Sequence, residues 1–249
     1  GQIAVVGIPR NLYNAPFVKG SPMRDAWPDG FNCGDECLFA YIYTWAQKHA
    51  ELYPDAVAAG STPGIEAMRD SVEAITGLPI QFFVLIDMQG FRRLIDALGG
   101  IDIMIEETVN VCVVGEPITD SFSAGPTHLD GKRALMYART RCDSDDFVRM
   151  GRQRQLEEAI LRQVQPATVL ARFQELASAG EALVITDLPQ SMLGVMVDLG
   201  TKARKLPMRR AELVPPIFDY LYPNFKLAHE IVREAVFPPR ATPSPTPQP

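Results

Sequence analysis

The sequence has no run of about 18 apolar residues, so nothing in it reads as a membrane-spanning helix. It has no recognisable export signal either. Gly1 leads straight into Ile3-Ala4-Val5-Val6, and any signal or membrane anchor is expected to lie upstream of Gly1. Histidine is scarce: His49, His128 and His229 share no spacing with cysteines or acids. That leaves no histidine base and no zinc site, and each is expected to be an ordinary surface or packed residue. Neither a Gly-x-Ser-x-Gly elbow, a Walker loop nor a dinucleotide glycine fingerprint occurs, and Gly99-Gly100 reads as a turn. An excess of positive charge is also missing: 24 Lys and Arg against 30 Asp and Glu give a net charge of -6. A non-specific nucleic-acid binder is usually basic, so nucleic acid is not an expected partner. Internal repeats are absent too.

What is present is a chain of 249 residues, 47% of them hydrophobic. This is enough for a single globular domain with a real core, expected over residues 1–237. From Pro238 the sequence turns into a proline-rich tail, 238–249, which is expected to be extended and disordered. Four cysteines, Cys33, Cys37, Cys112 and Cys142, fit two disulfides in an exported protein, with Cys33–Cys37 and Cys112–Cys142 as the pairing. Four free thiols in a reducing compartment fit the count equally, and a metal site on Cys33 and Cys37 is a third reading.

The pattern along the chain alternates strand and helix. Ile3 to Ile8 reads as a short buried strand ended by Pro9, delivering Arg10 to its C-terminal end. Leu38 to Leu52 reads as a helix with aromatics in its first half. Thr62-Pro63 opens another helix, running to about Ile75 before Gly77. Gln81 to Asp87 reads as a strand, and Phe91 to Leu98 as a helix stopped by Gly99-Gly100. Ile101 to Ile105 and Val109 to Val114 read as strands. Asp130-Gly131 opens a short helix through Tyr137. Asp145 or Asp146 then caps a long helix to about Gln165, with Met150, Leu156, Ala159, Ile160 and Val164 as its core face. Residues 168–236 read as mostly helical, with short strands near Leu183 to Ile185 and Met208 to Arg210. This alternation predicts an α/β sandwich.

The densest chemical signal lies in residues 137–155. Arg139 and Arg141 are two apart, which in an extended segment puts both guanidinium groups on one side. Arg149 is four before Gln153 and three before Arg152, so these stack on one helical face. One strand end and one helix start would then aim several cations at a common point. Clustered arginines repel unless anions neutralise them, and Asp143, Asp145 and Asp146 answer only part of that charge. The guanidinium fork matches phosphate oxygens two at a time, and a helix N-terminus favours an anion. A phosphate or pyrophosphate ligand follows. The plainer reading is a solvated helix face laced with ion pairs, and spacing by itself leaves both open. The aromatics Phe39 to Trp45 and Phe82-Phe83 read as core.

At residues 128–155, HLDGKRALMYARTRCDSDDFVRMGRQRQ, the chain resembles the LytR-CpsA-Psr family, whose signature is a Leu-Asp-Gly helix, Arg-x-Arg and then Asp-Phe-x-Arg-x-x-Arg-Gln. GIPRN at residues 7–11 resembles that family's Ser-Ile-Pro-Arg-Asp. Residues 75–103 resemble its Thr-Gly, strand, Gly-Phe and Asp-Ala-Leu-Gly-Gly run. The likeness covers roughly residues 3–165, with the motifs in the family's order. It implies a three-layer α/β/α sandwich around a mixed sheet. It also implies an extracytoplasmic, usually membrane-anchored enzyme that moves a glycopolymer, such as teichoic acid or capsule, from a polyprenyl-pyrophosphate carrier to peptidoglycan. Pyrophosphatase activity on the carrier is associated with the family. The lipid tail is expected in an apolar pocket, and Mg²⁺ beside the pyrophosphate.

Carried over by position, the resemblance implies pyrophosphate binding by Arg10, Arg139, Arg141 and Arg149, with Arg152 and Gln153 beside them. It assigns catalysis to Arg139, Arg141, Asp146 and Arg149. Preorganised cations would neutralise the charge on a pyrophosphate leaving group. Asp146 is expected to orient Arg149 rather than to take a proton from the incoming hydroxyl. The family's magnesium-binding aspartates belong to the segment preceding the Ile-Pro-Arg strand, so no metal ligand is expected in this chain. Its Asp after the arginine is Asn11 here. Two functions are therefore carried forward: a glycopolymer phosphotransferase, and a non-catalytic envelope protein binding polyprenyl phosphates or cell-wall glycans. A third, an intracellular nucleotide phosphatase, goes with free thiols.

Overall fold

The computed structural model describes residues 2–112, 116–142, 145–163, 165–169, 171–172 and 184–238. Along the chain the elements are β1 (Ile3–Gly7), α1 (Pro22–Ala26), α2 (Ile42–Lys48), α3 (Pro63–Thr76), β2 (Val84–Ile86), α4 (Met88–Ala97), β3 (Ile101–Ile105), β4 (Val109–Val111), β5 (Asp120–Phe122), β6 (Gly125–Leu129), α5 (Gly131–Arg139), α6 (Asp146–Gln163), β7 (Val184–Thr186), α7 (Leu193–Ala203), β8 (Met208–Glu212) and α8 (Phe225–Val236). The mixed α/β character read from the sequence is present, with both parallel and antiparallel pairing. Among the described residues the strands pair two by two: β1 with β8 in parallel, and β2 with β7, β3 with β6 and β4 with β5 antiparallel.

The chain divides into two compact units. The first comprises Gly1–Tyr53, Pro63–Pro79 and Leu206–Pro249; the second comprises Pro54–Thr62 and Ile80–Lys205. In the first unit, Leu12, Phe17, Met23, Phe31, Ile42, Ile75, Leu213 and Phe218 form the buried core. Helix α3 starts as its sequence predicts, with Pro63 in the first turn, where the missing N–H costs nothing. The single helix expected from Leu38 to Leu52 is instead three pieces, with 3-10 turns at Phe39–Tyr41 and Ala50–Leu52 flanking α2. His49 ends α2: its backbone leaves the helical region, and its Nδ1 lies 2.8 Å from the Trp45 carbonyl.

The second unit is built around Ile95, Ile101, Ile105, Phe122, Leu129, Ala134, Tyr137 and Leu156. In β3 alternate residues Ile101, Ile103 and Ile105 are buried and Asp102 and Met104 exposed, the period-2 pattern of a one-sided strand. Asp87 caps α4 by accepting from the Gly90 N–H at 2.6 Å, so this helix begins three residues earlier than the apolar pattern suggested. Gly99 and Gly100, both at φ 85°, end it. The strand expected over residues 81–87 shrinks to Val84–Ile86. Phe83 is drawn off the ladder, its N–H donating to Asp187 Oδ1 at 2.9 Å and its carbonyl accepting from Thr186 Oγ1 at 2.5 Å. β6 went unread because Gly125, Pro126 and His128 break any strand pattern, and β5, three residues long, is too short to show an alternation. Of the earlier expectations, Leu183, Val164, Asp143, the end of the strand read to Val114 and the tail beyond Pro238 lie outside the described residues.

The cysteines pair as disulfides, Cys33–Cys37 with Cα atoms 5.1 Å apart and Cys112–Cys142 with Cα atoms 5.5 Å apart. The readings as free thiols and as a Cys33/Cys37 metal site are thereby set aside. The three histidines are packed or surface residues, as expected: His128 lies 2.7 Å from Asp102 Oδ1 and His229 2.8 Å from the Ala74 carbonyl.

Helix α5 is fixed at its start by two devices, the first of which ties it to α4. Its first N–H, from Gly131, donates to Asp96 Oδ1 at 2.7 Å, and Asp130 caps it through the Arg133 N–H at 2.7 Å. A Cβ on Gly131 would fall on the Arg92 carbonyl. Gly131→Ala should therefore destabilise the protein by about 1–3 kcal/mol, as overpacking does. A shift in the urea midpoint checks this; an unshifted midpoint would show that the close approach is slack. Thiol titration of the denatured, unreduced protein should find no free thiols, and four after reduction.

Candidate anion-binding site

The cation-rich segment lies entirely in the second unit, at the junction of α5 and α6. The sequence placed Arg139 in an extended stretch, but α5 runs two residues past Tyr137, and Arg139 is its last residue. The Thr140 N–H still donates to the Met136 carbonyl at 3.0 Å, and no proline or glycine stops the helix sooner. The chain turns extended only at Thr140 (φ -59°, ψ 143°). Arg139 and Arg141 therefore flank a helix C-terminus, where a cation is favoured by the helix dipole. Arg139 is exposed, and among the described residues no hydrogen bond or ion pair of its side chain is found.

Asp145 and Asp146 divide the work at the start of α6. Asp145 Oδ1 accepts from the Phe147 and Val148 N–H groups, each at 2.9 Å. The helix N-terminus is thus already occupied by a carboxylate, and an incoming anion must be held by guanidinium groups. Asp146 bridges two of them: Oδ1 accepts from Arg141 Nη1 at 2.7 Å and Oδ2 from Arg149 Nη2 at 2.8 Å. The carboxylate and Arg149 are nearly buried, while 40% of the Arg141 side chain remains exposed. Each of these contacts uses one of a guanidinium's five N–H donors. Asp146 orients both arginines.

Arg152 and Gln153 do something different. Arg152 is 8% exposed; its Nε donates to the Tyr137 carbonyl at 3.1 Å and its Nη2 to the Thr140 carbonyl. Gln153 Nε2 donates to the Ala138 carbonyl at 3.2 Å. The last carbonyls of a helix have no partner within it. Here three consecutive or near-consecutive ones are satisfied by two side chains of the next helix. Burial lowers the pKa of Arg152 from its ordinary value, opposed by Tyr137 and assisted by Arg149. These residues, read from the sequence as beside the pyrophosphate, hold the frame on which Arg139, Arg141 and Arg149 are mounted.

The frame has further ties. Thr140 Oγ1 donates to the Asn110 carbonyl at 2.7 Å and accepts from the Cys112 N–H at 3.3 Å. The Cys112–Cys142 disulfide closes the same corner. Tyr137 Oη donates to Gln155 Oε1 at 2.7 Å, and Gln155 Nε2 donates to the Met104 carbonyl. At the far end of α6, Gln163 accepts from the Asp102 N–H at 2.8 Å and donates to the Asp102 carbonyl. The second half of α6 also lines a cavity of about 450 Å³. Its wall is Glu157, Ile160 and Leu161 from α6, Val84 from β2, and Leu193, Met196, Val197 and Gly200 from α7, with four further residues. Ile160, read from the sequence as part of the core face of α6, packs half-buried against the core of the second unit and also lines this cavity.

Arg10 belongs to the first unit, exposed just after β1, and its carbonyl accepts from the Ala40 N–H at 2.9 Å. The C-terminal ends of β1 and its parallel partner β8 bring Gly7 opposite Glu212. The Glu212 carboxylate is buried against Gly7. Ligand sites favour the C-terminal ends of parallel strands. Glu212 was not singled out from the sequence, where an acid ending Met-Arg-Arg-Ala-Glu carried no pattern of its own. Among the described residues no group of three His, Cys, Asp or Glu side chains is placed to hold a metal ion.

The fold and site define a mixed α/β protein carrying a preorganised guanidinium cluster next to an apolar cavity. The chain belongs to the LytR_cpsA_psr family, whose profile matches residues 21–213. That span starts after Arg10 and runs past the region of resemblance read from the motifs. Among curated proteins, the chain is 29% identical over 134 residues to the polyisoprenyl-teichoic acid–peptidoglycan teichoic acid transferase TagU of Bacillus mycoides, covering 52% of this chain and 41% of that protein. It is 33% identical over 127 residues to TagU of Bacillus subtilis, covering 50% and 40%. The chain thus spans about two fifths of these relatives' length. The crystal structure of B. subtilis TagV matches with a TM-score of 0.59 at 20% identity, over 93% of this chain and 82% of that one, which shows a shared fold.

Replacing Arg152 with Met should leave the Tyr137 and Thr140 carbonyls without their charged donor and cost about 2–4 kcal/mol. Denaturant unfolding reads this directly. A loss below about 0.5 kcal/mol, within the range of ordinary surface substitutions, would show that the clamp is not what holds α5 to α6.

Proposed function

We propose that this chain binds a polyprenyl-pyrophosphate-linked glycopolymer and transfers the glycopolymer to peptidoglycan. The observation that carries the reading is the make-up of α6. Its first turns present Arg149 and Asp146 beside Arg141, and its later turns supply Ile160 and Leu161 to an apolar cavity. Arg149 and Ile160 are about 16 Å apart along the axis at the usual rise per residue. A single rigid element thus offers a cationic end and an apolar end, which suits an amphiphile with an anionic head and a hydrocarbon chain. The relatives' printed names specify a polyisoprenyl-linked substrate and a peptidoglycan acceptor.

In this reading Arg139, Arg141 and Arg149 bind the pyrophosphate; for Arg10 the same role rests on its position in the family motif alone. The acceptor hydroxyl oxygen attacks the phosphorus that bears the glycan. The bond from that phosphorus to the bridging oxygen breaks, polyprenyl phosphate leaves with the negative charge, and the hydroxyl proton passes to water. Fixed guanidinium groups lower the barrier because they meet the charge as it grows without having to reorganise. Asp146 keeps Arg141 and Arg149 in place. With water as acceptor the same chemistry is pyrophosphate hydrolysis. Mg²⁺ is the ion the family resemblance implies. The described residues offer no three-ligand set for it, and none of the steps above depends on it.

The two disulfides support an extracytoplasmic location in the cell envelope, because such bonds persist in oxidising compartments. The same reading has the protein tethered at the membrane by a segment N-terminal to these residues. No helix among the described residues is long and apolar enough to cross a membrane.

A second reading, binding without transfer, is favoured by Asn11, which stands where the family motif has Asp. Calorimetric titration with farnesyl pyrophosphate, a soluble short-chain mimic, should show binding. Arg139→Ala or Arg141→Ala should weaken that binding at least tenfold, in line with the worth of a charge-assisted hydrogen bond. Equal affinity in both variants would refute the head-group site. Incubation with a polyprenyl-pyrophosphate-linked sugar, Mg²⁺ and peptidoglycan separates the two functions: binding without release of polyprenyl phosphate decides for the non-catalytic one.

A further inference from the structure

Helix α7 has more apolar surface than its cavity uses. At about 100° per residue, Leu193, Met196, Val197 and Gly200 fall within an arc of about 100°, and this arc lines the cavity. Val195 and Leu199 extend the apolar arc to about 200° on one side. Their exposures are 46% and 52%, and Val84, which also lines the cavity, is 60% exposed. The apolar lining therefore continues outward over the rim. The polar residues of α7 are confined to the remaining strip, Asp198, Thr201 and Lys202. At the C-terminal end of the helix the charge turns positive, with Lys202, Arg204 and Lys205 against the single acid Asp198, which pairs with Lys202 at 2.5 Å.

We propose that the rim formed by Val195, Leu199 and Val84, together with the basic end of α7, is a docking surface for an anionic lipid bilayer. The inference rests on the reading of the cavity as a lipid-chain site. An apolar chain moving between a bilayer and a protein cavity crosses water unless the cavity mouth meets the bilayer, and exposing that chain costs about 0.8 kcal/mol per methylene group. Seating the rim in the interfacial region removes this barrier. An apolar face next to a cluster of lysine and arginine is the arrangement that binds anionic membrane surfaces. A second copy meeting this face through its own α7 brings no acidic patch to match the basic end, since Asp198 is the only acid of that helix and is already paired with Lys202.

Cosedimentation with vesicles tests this without any polyprenyl lipid present. The folded chain should bind vesicles of phosphatidylcholine containing phosphatidylglycerol, and bind pure phosphatidylcholine severalfold more weakly. Val195→Asp with Leu199→Asp should weaken binding at least tenfold at an unchanged thermal midpoint, since both side chains are exposed. Lys202→Gln with Lys205→Gln should weaken it severalfold and flatten its dependence on salt. Absence of vesicle binding by the unaltered chain, or equal binding by the double aspartate variant, overturns the proposal. So does a dimer in solution that the aspartate variant dissociates, which would make this face a contact between copies. Farnesyl pyrophosphate titration separates failures: vesicle binding without pyrophosphate binding removes the head-group reading and leaves the docking surface, and the reverse removes only the docking surface.

Discussion

The site depends on one constraint: the carbonyls at the end of α5 must find donors. A helix that ends by turning into an extended segment leaves its last acceptors open, and burial makes that costly. The acceptors here are Tyr137, Ala138 and Thr140, and their donors, Arg152 and Gln153, come from one turn of α6. The position of α6 against α5 follows from this pairing. So do the positions of Arg139 and Arg141, on the chain that leaves α5, and of Arg149 and Asp146, one turn before the clamp. The cations are gathered because the helices that carry them are fastened by hydrogen bonds that no ligand supplies.

This explains why α6 is so polar. An ordinary surface helix hides one apolar face and offers a polar one to water. Helix α6 buries Leu156 and Ala159 but also buries Arg149 and Arg152, and it uses Gln153, Gln155 and Gln163 on neighbouring backbone. Amide and guanidinium side chains here replace part of what apolar packing usually does. Such contacts are directional, so they fix rotation and register more tightly than a greasy face would.

Much of the fold was legible where local rules hold without help from the rest of the chain. The start of α3, the glycine stop after α4, the alternation in β3 and the extent of α6 all follow from caps, turns and periodicity. Reading failed where distant groups intervened. Asp187 and Thr186 draw Phe83 out of the strand its sequence suggests. Closer in the chain, His49 ends a helix that its aromatic run seemed to continue, through a contact four residues back. At the site, the spacing of Arg139, Arg141 and Arg149 marked a cation cluster, but spacing could not say which cations face outward. Arg149 and Arg152 are three residues apart and equally buried; the acid partner of Arg149 is its own helix neighbour Asp146, whereas only tertiary contacts give Arg152 its set of carbonyls. Glu212 was invisible because its neighbour Gly7 lies on a strand two hundred residues away in sequence.

The Cys112–Cys142 bond encloses a sequence separation of 30 and fastens the residue next to Arg141 to the end of β4. The same corner is held by the Thr140 hydrogen bonds, the Arg152 clamp and the Arg141–Asp146 contact, and the disulfide adds a covalent limit to how far it can open. A disulfide limits the unfolded chain as well as the folded one, so this bond also narrows the search by which Arg141 reaches Asp146 during folding.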